Sequence, residues 1–265
     1  MKKLALTLMI PVLLAGCATT KSPTGRSQVL LFDKNQMTEM GEQSFTAMKK
    51  EQKISNDKQK TTYVNCVANR ITAVLPDQSL QWEVVLFDSG QVNAFALPGG
   101  HIGVYTGLLE VANDPDQLAT VIGHEVAHVL ARHGNEQVSR AQMTNTGMQL
   151  ADVALGAGGV SNKDLYMAGL GLGTQVGILL PFGRDQESEA DELGLELMAK
   201  AGFNPAMSVT LWQNMAKAGG EQGPELFSTH PSHSTRISDL KALQAKTAPL
   251  YESAKKQSLT QCKNG

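Results

Sequence analysis

Two histidines and a glutamate occur at the spacing of a metal-binding helix motif, His124-Glu125-Val126-Ala127-His128. Residues four apart in a helix lie about one turn apart on the same face, so His124 and His128 can both reach one ion. Neutral imidazoles suit Zn²⁺ well. Glu125 lies one step round the helix, where it can reach a water molecule on the ion without being a ligand. The motif therefore predicts a catalytic zinc centre with Glu125 as general base.

The sequence around this motif favours a helix. Asp114-Pro115-Asp116-Gln117 combines a capping Asp, a proline at the first helical position and a Gln three residues after the cap. The apolar residues that continue the helical pattern are Leu118, Val121, Ile122 and Val129. Gly134-Asn135 is expected to end the helix. The metal motif thus falls within a predicted helix of about five turns.

A catalytic zinc ion needs three protein ligands, so a third is expected from a second helix. That helix is predicted from Arg184 to about Ala201, and three acids compete for the role. Glu187 and Asp191 are four apart and share a face with Gly194, whereas Glu189 points about 200° away. We expect Glu187 to bind the metal and Asp191 to orient a ligand histidine. A solvated acidic first turn, favoured by the helix dipole, is the alternative for Glu187 and Glu189.

The elements that must position these residues form an α+β pattern. Three strands are predicted, at Trp82–Phe87, Asn93–Leu97 and His101–Tyr105, the last two joined by Pro98-Gly99-Gly100. Two helices are predicted before them, at Asp33–Lys53 and Asp57–Leu75. The Gly- and Ala-rich segment 141–182 is either a buried helical pair or a mobile cover, or a surface that contacts membrane or a partner. The sequence therefore predicts a mostly helical domain with a small β-sheet beside the His-Glu-x-x-His helix.

The N-terminus has the pattern of a secretory signal. Lys2 and Lys3 precede an apolar run, Leu4–Leu14, that is too short to span a bilayer comfortably. The next small residues lead to Cys17, and Leu14-Ala15-Gly16-Cys17 resembles the bacterial lipobox, in which the cysteine is acylated. An ordinary signal peptide with a chance cysteine is the alternative. Ala18 follows the cysteine where an Asp would favour the inner membrane, so the resemblance to bacterial lipoproteins implies the periplasmic side of the outer membrane.

The chain is accordingly divided into a signal peptide at 1–16, a flexible lipidated tether at 17–32 and a single domain at 33–265. The net charge is −2 and no strong basic patch occurs, which argues against a nucleic-acid partner. Of the three cysteines, Cys66 and Cys262 remain after lipidation. An oxidising compartment favours a disulfide between them, and two free cysteines are the alternative. His101 and His133 are expected to be structural, and His233 to face solvent.

These motifs resemble those of the zinc metallopeptidase family that includes the CAAX prenyl protease, HtpX, BepA and LoiP. The resemblance covers Trp82–Leu243 and implies a zincin-like fold, one Zn²⁺ per chain and Glu187 as the third ligand. Asn93-Ala94-Phe95 is similar to the family's edge strand, whose Asn holds substrate backbone. His230-Pro231, followed by Arg236, is similar to its C-terminal motif and implies catalytic roles for His230 and Arg236.

The resemblance is to the short, lipid-anchored branch of the family, because multiple transmembrane helices and a helical-repeat array are not seen. It implies a zinc-dependent endopeptidase that cleaves unfolded or misassembled envelope proteins, bound as an added strand along Asn93–Phe95. His230 is expected to donate to the oxyanion or to plug the open metal position at rest, with Arg236 holding it or the substrate. The alternative function is a chaperone-like outer-membrane assembly factor whose zinc is closed by a fourth ligand such as His230.

Overall fold

The computed structural model describes residues 19–157, 182–218, 230, 235–257 and 261–263, and the structural statements below refer to these ranges. The helices are α1 (Lys34–Glu51), α2 (Lys58–Ala73), α3 (Pro115–Leu130), α4 (His133–Ala157), α5 (Arg184–Lys200), α6 (Met207–Ala218) and α7 (Arg236–Ala254). The strands are β1 (Thr19–Lys21), β2 (Ser27–Val29), β3 (Glu83–Phe87), β4 (Ala94–Leu97) and β5 (His101–Tyr105). The predicted α+β, mostly helical class is confirmed.

Helix α3, which carries the metal motif, begins as its sequence predicts. Asp114 accepts a hydrogen bond from the Gln117 amide at 2.9 Å, and Pro115 occupies the first helical position. The helix ends earlier than expected, at Leu130, because Arg132 adopts a left-handed backbone with φ of 58°. The predicted terminator Gly134-Asn135 lies inside α4 instead. The chain therefore turns sharply just after the second histidine of the motif.

The main sheet has three strands in the order β3-β5-β4, with β3 parallel and β4 antiparallel to β5. Residues 53–55 hydrogen-bond to the outer side of β3, so β4 forms the other edge, beside α3. One face of the sheet packs on the main core with α2, α3 and α5, through side chains that include Ile71, Ile102, Ile122 and Leu195. This arrangement places an edge strand directly beside the metal motif.

The segment predicted as a flexible tether differs from that expectation. Its described part forms an antiparallel hairpin of β1 and β2, here called the N-terminal hairpin (Thr19–Val29). The Gln28 side chain donates to the Ala131 carbonyl at 2.6 Å, and the Leu31 amide donates to Ser139 Oγ at 2.8 Å. These bonds fasten the hairpin to the α3–α4 junction. The folded domain therefore includes residues assigned to the tether, since their polar groups have partners there.

Cys66 on α2 and Cys262 near the C-terminus are joined by a disulfide, with their Cα atoms 5.6 Å apart. Within the described ranges, no helix is both long and apolar enough to cross a membrane. The first part of the Gly- and Ala-rich segment belongs to α4, which exposes Met143, Leu150 and Val153. Residues 158–181 of that segment, Cys17 and His233 lie outside the described residues.

Candidate metal centre

Two helices hold the candidate ligands against each other. His124 and His128 lie on α3, and Glu187 lies on α5, all of them buried. The two helices cross at Gly123 and Gly194, where a Cβ on Gly194 would lie 2.9 Å from the His124 backbone nitrogen. Because glycine has no side chain, the two backbones approach closely enough for Glu187 to reach the histidines. The structure thus brings together the three ligands proposed from the sequence.

A fourth side chain, His230, joins them. His124 Nε2 lies 3.0 Å from His128 Nε2 and 3.3 Å from His230 Nδ1. Glu187 Oε1 lies 3.0 Å from His230 Nδ1 and 3.5 Å from His128 Nε2. Tetrahedral zinc with bonds of about 2.0–2.1 Å needs ligand atoms roughly 3.3 Å apart. These four distances are close to that spacing, and all four atoms lie within 4.8 Å of one another. His230 lies where the sequence argument expected a side chain that plugs the open metal position.

The charge of this buried cluster also fits a divalent cation. The carboxylates of Glu187 and Asp191 share one guanidinium, that of Arg236, and all three groups are nearly inaccessible to solvent. With neutral histidines, one negative charge is left uncompensated even before the Glu125 carboxyl is counted. Buried charges without partners are costly, so the cluster favours a divalent cation at its centre. Imidazole and carboxylate donors together suit Zn²⁺.

The pKa shifts of the ligand residues differ according to the balance between burial and neighbouring charge. Burial lowers the pKa of His124, but the charges of Glu187 and Asp191 outweigh burial and raise it to about 9. Burial raises the pKa of the Glu187 carboxyl, but the neighbouring histidines outweigh that effect and hold it well below its usual range. For His128 burial dominates and lowers the pKa. Glu187 is therefore kept as a carboxylate and His128 as a neutral imidazole, the forms that bind metal.

Glu125 belongs to the centre without being one of the candidate metal ligands. The Ala96 amide donates to its carboxylate, and burial raises its pKa. Its Oε1 has no hydrogen-bond partner among the described residues and lies 3.4 Å from His230 Nε2. A buried, unpartnered carboxylate oxygen beside a metal position is suited to accept a proton from water. The geometry thus fits the role of general base.

Arg236 has different partners from those expected. Its guanidinium donates to Glu187 Oε2 at 2.9 Å and to Asp191 Oδ1 at 2.7 Å, and it stacks on the Trp212 ring at 3.6 Å. Asp191 Oδ1 in turn lies 3.0 Å from His124 Nδ1. The expectation that Arg236 is catalytic and holds His230 or substrate is therefore corrected. It is a positioning residue that fixes a ligand carboxylate and, through Asp191, a ligand histidine.

Only some of the residues predicted to bind substrate, Asn93, Ala94 and Phe95, are placed at the free edge of β4. Tyr105 N donates to Asn93 O, so in the antiparallel register Phe95 and Leu97 also direct their backbone groups toward β5. Ala94 and Ala96 then direct theirs toward the free edge. Asn93 Oδ1 accepts from the Ala94 amide. Of the predicted residues, Ala94 directs its backbone toward the free edge, where its amide is already bonded to the Asn93 side chain.

Phe95 is a correction to that assignment. Its ring packs against Phe45, Phe87 and Tyr105 on the opposite face of the sheet, with centroids about 6.2 Å away. Ala96, which the sequence argument passed over, takes its place at the free edge. The alternation of side chains along a strand could have identified Ala96, because residues two apart share a face and a hydrogen-bonding side.

Further residues near the centre were not anticipated. The Phe182 ring lies over His128 and His230, with centroids 4.1 and 5.3 Å away. Glu189 is buried rather than solvated, and its Oε2 lies 3.1 Å from His133 Nε2. Both histidines expected to be structural are indeed buried, but His133 contacts the ligand His128 directly. The sequence could have suggested this contact, because His133 follows His128 by only five residues.

Comparisons with known proteins agree on one family. The family described as "Peptidase family M48" matches residues 58–244. The mitochondrial metalloendopeptidase OMA1 of Schizosaccharomyces pombe is 39% identical over 179 residues, which is 67% of this chain and 51% of that protein. The β-barrel assembly-enhancing protease of Yersinia pestis is 31% identical over 204 residues, 73% of this chain and 41% of that protein. The chain thus spans about half the length of the curated relatives it matches.

Proposed function

The chain belongs to peptidase family M48, and we propose that it is a zinc-dependent endopeptidase acting on unfolded or misassembled proteins. The observation that carries the proposal is the placement of Glu125. It is a buried carboxylate with a free oxygen, next to the converging atoms of His124, His128 and Glu187. A purely structural zinc site has no use for such a group, whereas peptide hydrolysis requires a general base there.

Different residues of the centre would bind the metal, transfer the proton and position the ligands. His124, His128 and Glu187 would hold the ion, which supplies Lewis-acid polarisation and lowers the pKa of water when bound. Glu125 takes a proton from the attacking water and passes it to the leaving amine nitrogen. Asp191 holds His124 in place through a hydrogen bond, and Arg236 donates to both Glu187 and Asp191. Withdrawal of His230 from its present position would open the site to a peptide carbonyl.

Substrate shape follows from the sheet edge. The carbonyl groups of Ala94 and Ala96 point away from β5, so the amides of an extended peptide could donate to them as an added strand, while the Ala94 and Ala96 amides are bonded to Asn93 and Glu125. Main-chain pairing of this kind selects little for side chains and requires an unfolded segment. The Yersinia relative is named for β-barrel assembly, which supports misassembled envelope proteins as substrates of this chain.

We also propose that the chain is lipid-anchored through Cys17 on the periplasmic side of the outer membrane. The support is the sequence Leu14-Ala15-Gly16-Cys17 and the residue after it. Metabolic labelling with a radioactive fatty acid, followed by membrane fractionation, tests this. A Cys17→Ser variant is expected to lose both the label and the outer-membrane location, and labelling that persists in that variant would contradict the proposal.

One observation favours the alternative, a chaperone-like assembly factor with a closed zinc site. His230 Nδ1 lies within 4.8 Å of the other three candidate ligand atoms, as a fourth protein ligand would. The two functions separate in one assay. Purified chain is incubated with an unfolded envelope protein, with and without a chelator, beside its Glu125→Gln variant. Cleavage that both chelation and the variant abolish supports the protease. Prevention of aggregation by wild type and variant alike, without cleavage, supports the alternative.

A further inference from the structure

The ligand His128 is held by a chain of side chains that ends in the N-terminal hairpin. His128 Nδ1 lies 2.9 Å from His133 Nδ1, and His133 Nε2 lies 3.1 Å from Glu189 Oε2. The same Glu189 oxygen accepts from Arg26 Nε at 2.8 Å. His133 is fully buried and Glu189 nearly so. We propose that His133, Glu189 and Arg26 are positioning residues for the metal ligand His128, which makes the N-terminal hairpin part of the metal centre.

The proton positions in this chain are set by metal binding. If His128 binds an ion through Nε2, its Nδ1 carries the proton and donates to His133 Nδ1. His133 then carries its own proton on Nε2 and donates to Glu189. One neutral tautomer of each ring therefore satisfies both hydrogen bonds and directs the His128 lone pair at the ion. Partners of this kind orient ligand histidines and increase their basicity.

The two ligand histidines are supported in parallel ways. His124 donates directly to Asp191, whose carboxylate is held by Arg236, whereas His128 reaches its carboxylate, Glu189, through His133. Both carboxylates lie on α5, two residues apart. The two arginines come from opposite ends of the chain. Asp191 alone was expected to have this role, and Glu189 takes the corresponding role for the second histidine.

Arg26 is held firmly enough to act in this way. Its two Nη atoms donate to both oxygens of Glu136 at 2.9 and 2.7 Å, while Nε donates to Glu189. The guanidinium therefore connects α4 to α5. Glu189 Oε1 accepts a further hydrogen bond from Thr24, also in the hairpin, at 2.6 Å. Removal of the hairpin contacts would leave Glu189 buried with fewer donors and free to turn away from His133.

Zinc affinity of the full-length chain in detergent, measured by competition with a chromophoric chelator, tests the chain of contacts. His133→Phe keeps a ring but removes both hydrogen bonds, and we expect a loss of zinc affinity of about 10–100-fold. His133→Asn retains an amide oxygen near the place of Nδ1 and should recover part of the loss. Glu189→Gln and Arg26→Ala should weaken zinc binding in the same direction. Affinities equal to wild type in all of these folded variants would overturn the inference.

Matched controls separate positioning from general stability. Glu192→Gln makes the same change on the same helix at a surface ion pair with Lys246, and Lys21→Ala removes another cation of the hairpin. Both should retain wild-type zinc affinity. Co²⁺ added in place of zinc reports ligand geometry through its visible absorption, which should change in His133→Phe and Glu189→Gln but not in the controls. Identical Co²⁺ spectra in all variants would also count against the inference.

The inference rests on the zinc site of the proposed function but not on proteolysis. A wild-type chain that binds no zinc would refute the proposed function itself. Tight zinc binding that is insensitive to His133, Glu189 and Arg26 would refute only the positioning chain. If His133→Phe does not fold, Glu189→Gln and Arg26→Ala still decide the outcome, because they remove hydrogen bonds without changing the packing of the buried ring.

Discussion

At the residue scale, the centre separates groups that hold the ion from a group that moves a proton. His124 and His128 of α3 and Glu187 of α5 direct their atoms at a common point, while Glu125, on the same helix as the two histidines, is directed toward the edge strand. The difference follows from helix geometry, since one residue corresponds to about 100° of rotation. Ligand and base can therefore be altered independently.

The first prediction uses that independence. His124→Ala, His128→Ala or Glu187→Ala should each lose zinc, because each removes a ligand, and Glu187→Ala should lose more affinity than Glu189→Ala. Glu125→Gln should retain zinc and lose about 10²–10⁴-fold in peptide cleavage. Metal analysis and a cleavage assay on an unfolded substrate check both. Retention of zinc by Glu187→Ala, with loss in Glu189→Ala, would show that the ligand was misassigned.

The second prediction concerns His230, whose Nδ1 completes the ligand set and whose Nε2 faces Glu125. His230→Ala should change turnover at least about tenfold with the fold intact. An increase is expected if the imidazole mainly blocks the fourth position, and a decrease if it mainly donates to the oxyanion, as such donors contribute roughly 10²–10³-fold. Steady-state kinetics and circular dichroism decide this. Wild-type kinetics in the variant would remove His230 from the mechanism.

At the element scale, the close crossing of α3 and α5 makes the centre possible. The two backbones meet at Gly123 and Gly194, and the crossing brings the α5 carboxylates to the α3 histidines. Glu187 then reaches both His124 and His128, Asp191 reaches His124, and Glu189 reaches His133 at the start of α4. A small separation of the helices would lengthen all of these contacts at once.

The third prediction tests the crossing. A Cβ at position 194 would lie 2.9 Å from the His124 amide nitrogen, so Gly194→Ala must push the helices apart. We expect a loss of about 1–3 kcal/mol in the free energy of unfolding, together with weaker zinc binding. Gly147→Ala is the matched control, because a Cβ there meets nothing within 4 Å. Denaturant unfolding compares the two, and equal stability of both variants would contradict the packing argument.

At the scale of the whole molecule, the first and last described segments, the N-terminal hairpin and the residues around Cys262, are tied to the domain that surrounds the metal. The N-terminal hairpin is fastened to the α3–α4 junction and to α5, and the C-terminal Cys262 is bonded to Cys66 on α2. Chain ends usually fray unless such contacts hold them. The ties are of different kinds, one polar and one covalent, and only the second depends on the redox environment.

The fourth prediction concerns that covalent tie. The bond closes a separation of 196 residues, and its loss by Cys66→Ala or Cys262→Ala should cost about 2–4 kcal/mol of unfolding free energy. Zinc content should be unchanged, because neither cysteine contacts the centre. Thermal unfolding measures the loss, and mass spectrometry after alkylation without reductant establishes the bond. Alkylation of both cysteines in protein from the oxidising compartment would contradict the assignment.

The sequence by itself determined the features that depend on local spacing. Helical periodicity placed His124 and His128 on one face, selected Glu187 and Asp191 over Glu189 for that face, and identified Asp114 as the start of the motif helix. The three strands of the main sheet followed from alternation and from the glycine turn. These signals are local because hydrogen bonding within one helix or hairpin decides them.

Only the tertiary structure decided which distant residues meet. His230 lies 43 residues after Glu187, Arg236 lies 112 residues after His124, and Arg26 lies 163 residues before Glu189. No periodicity connects such positions, since their contact depends on how whole helices pack and where the hairpin docks. For the same reason Glu189, which does point away from Glu187 on its own helix, was given no role beyond the alternative of a solvated acidic first turn. The α4 helix and Arg26 cover that side, and burial gives the carboxylate its role.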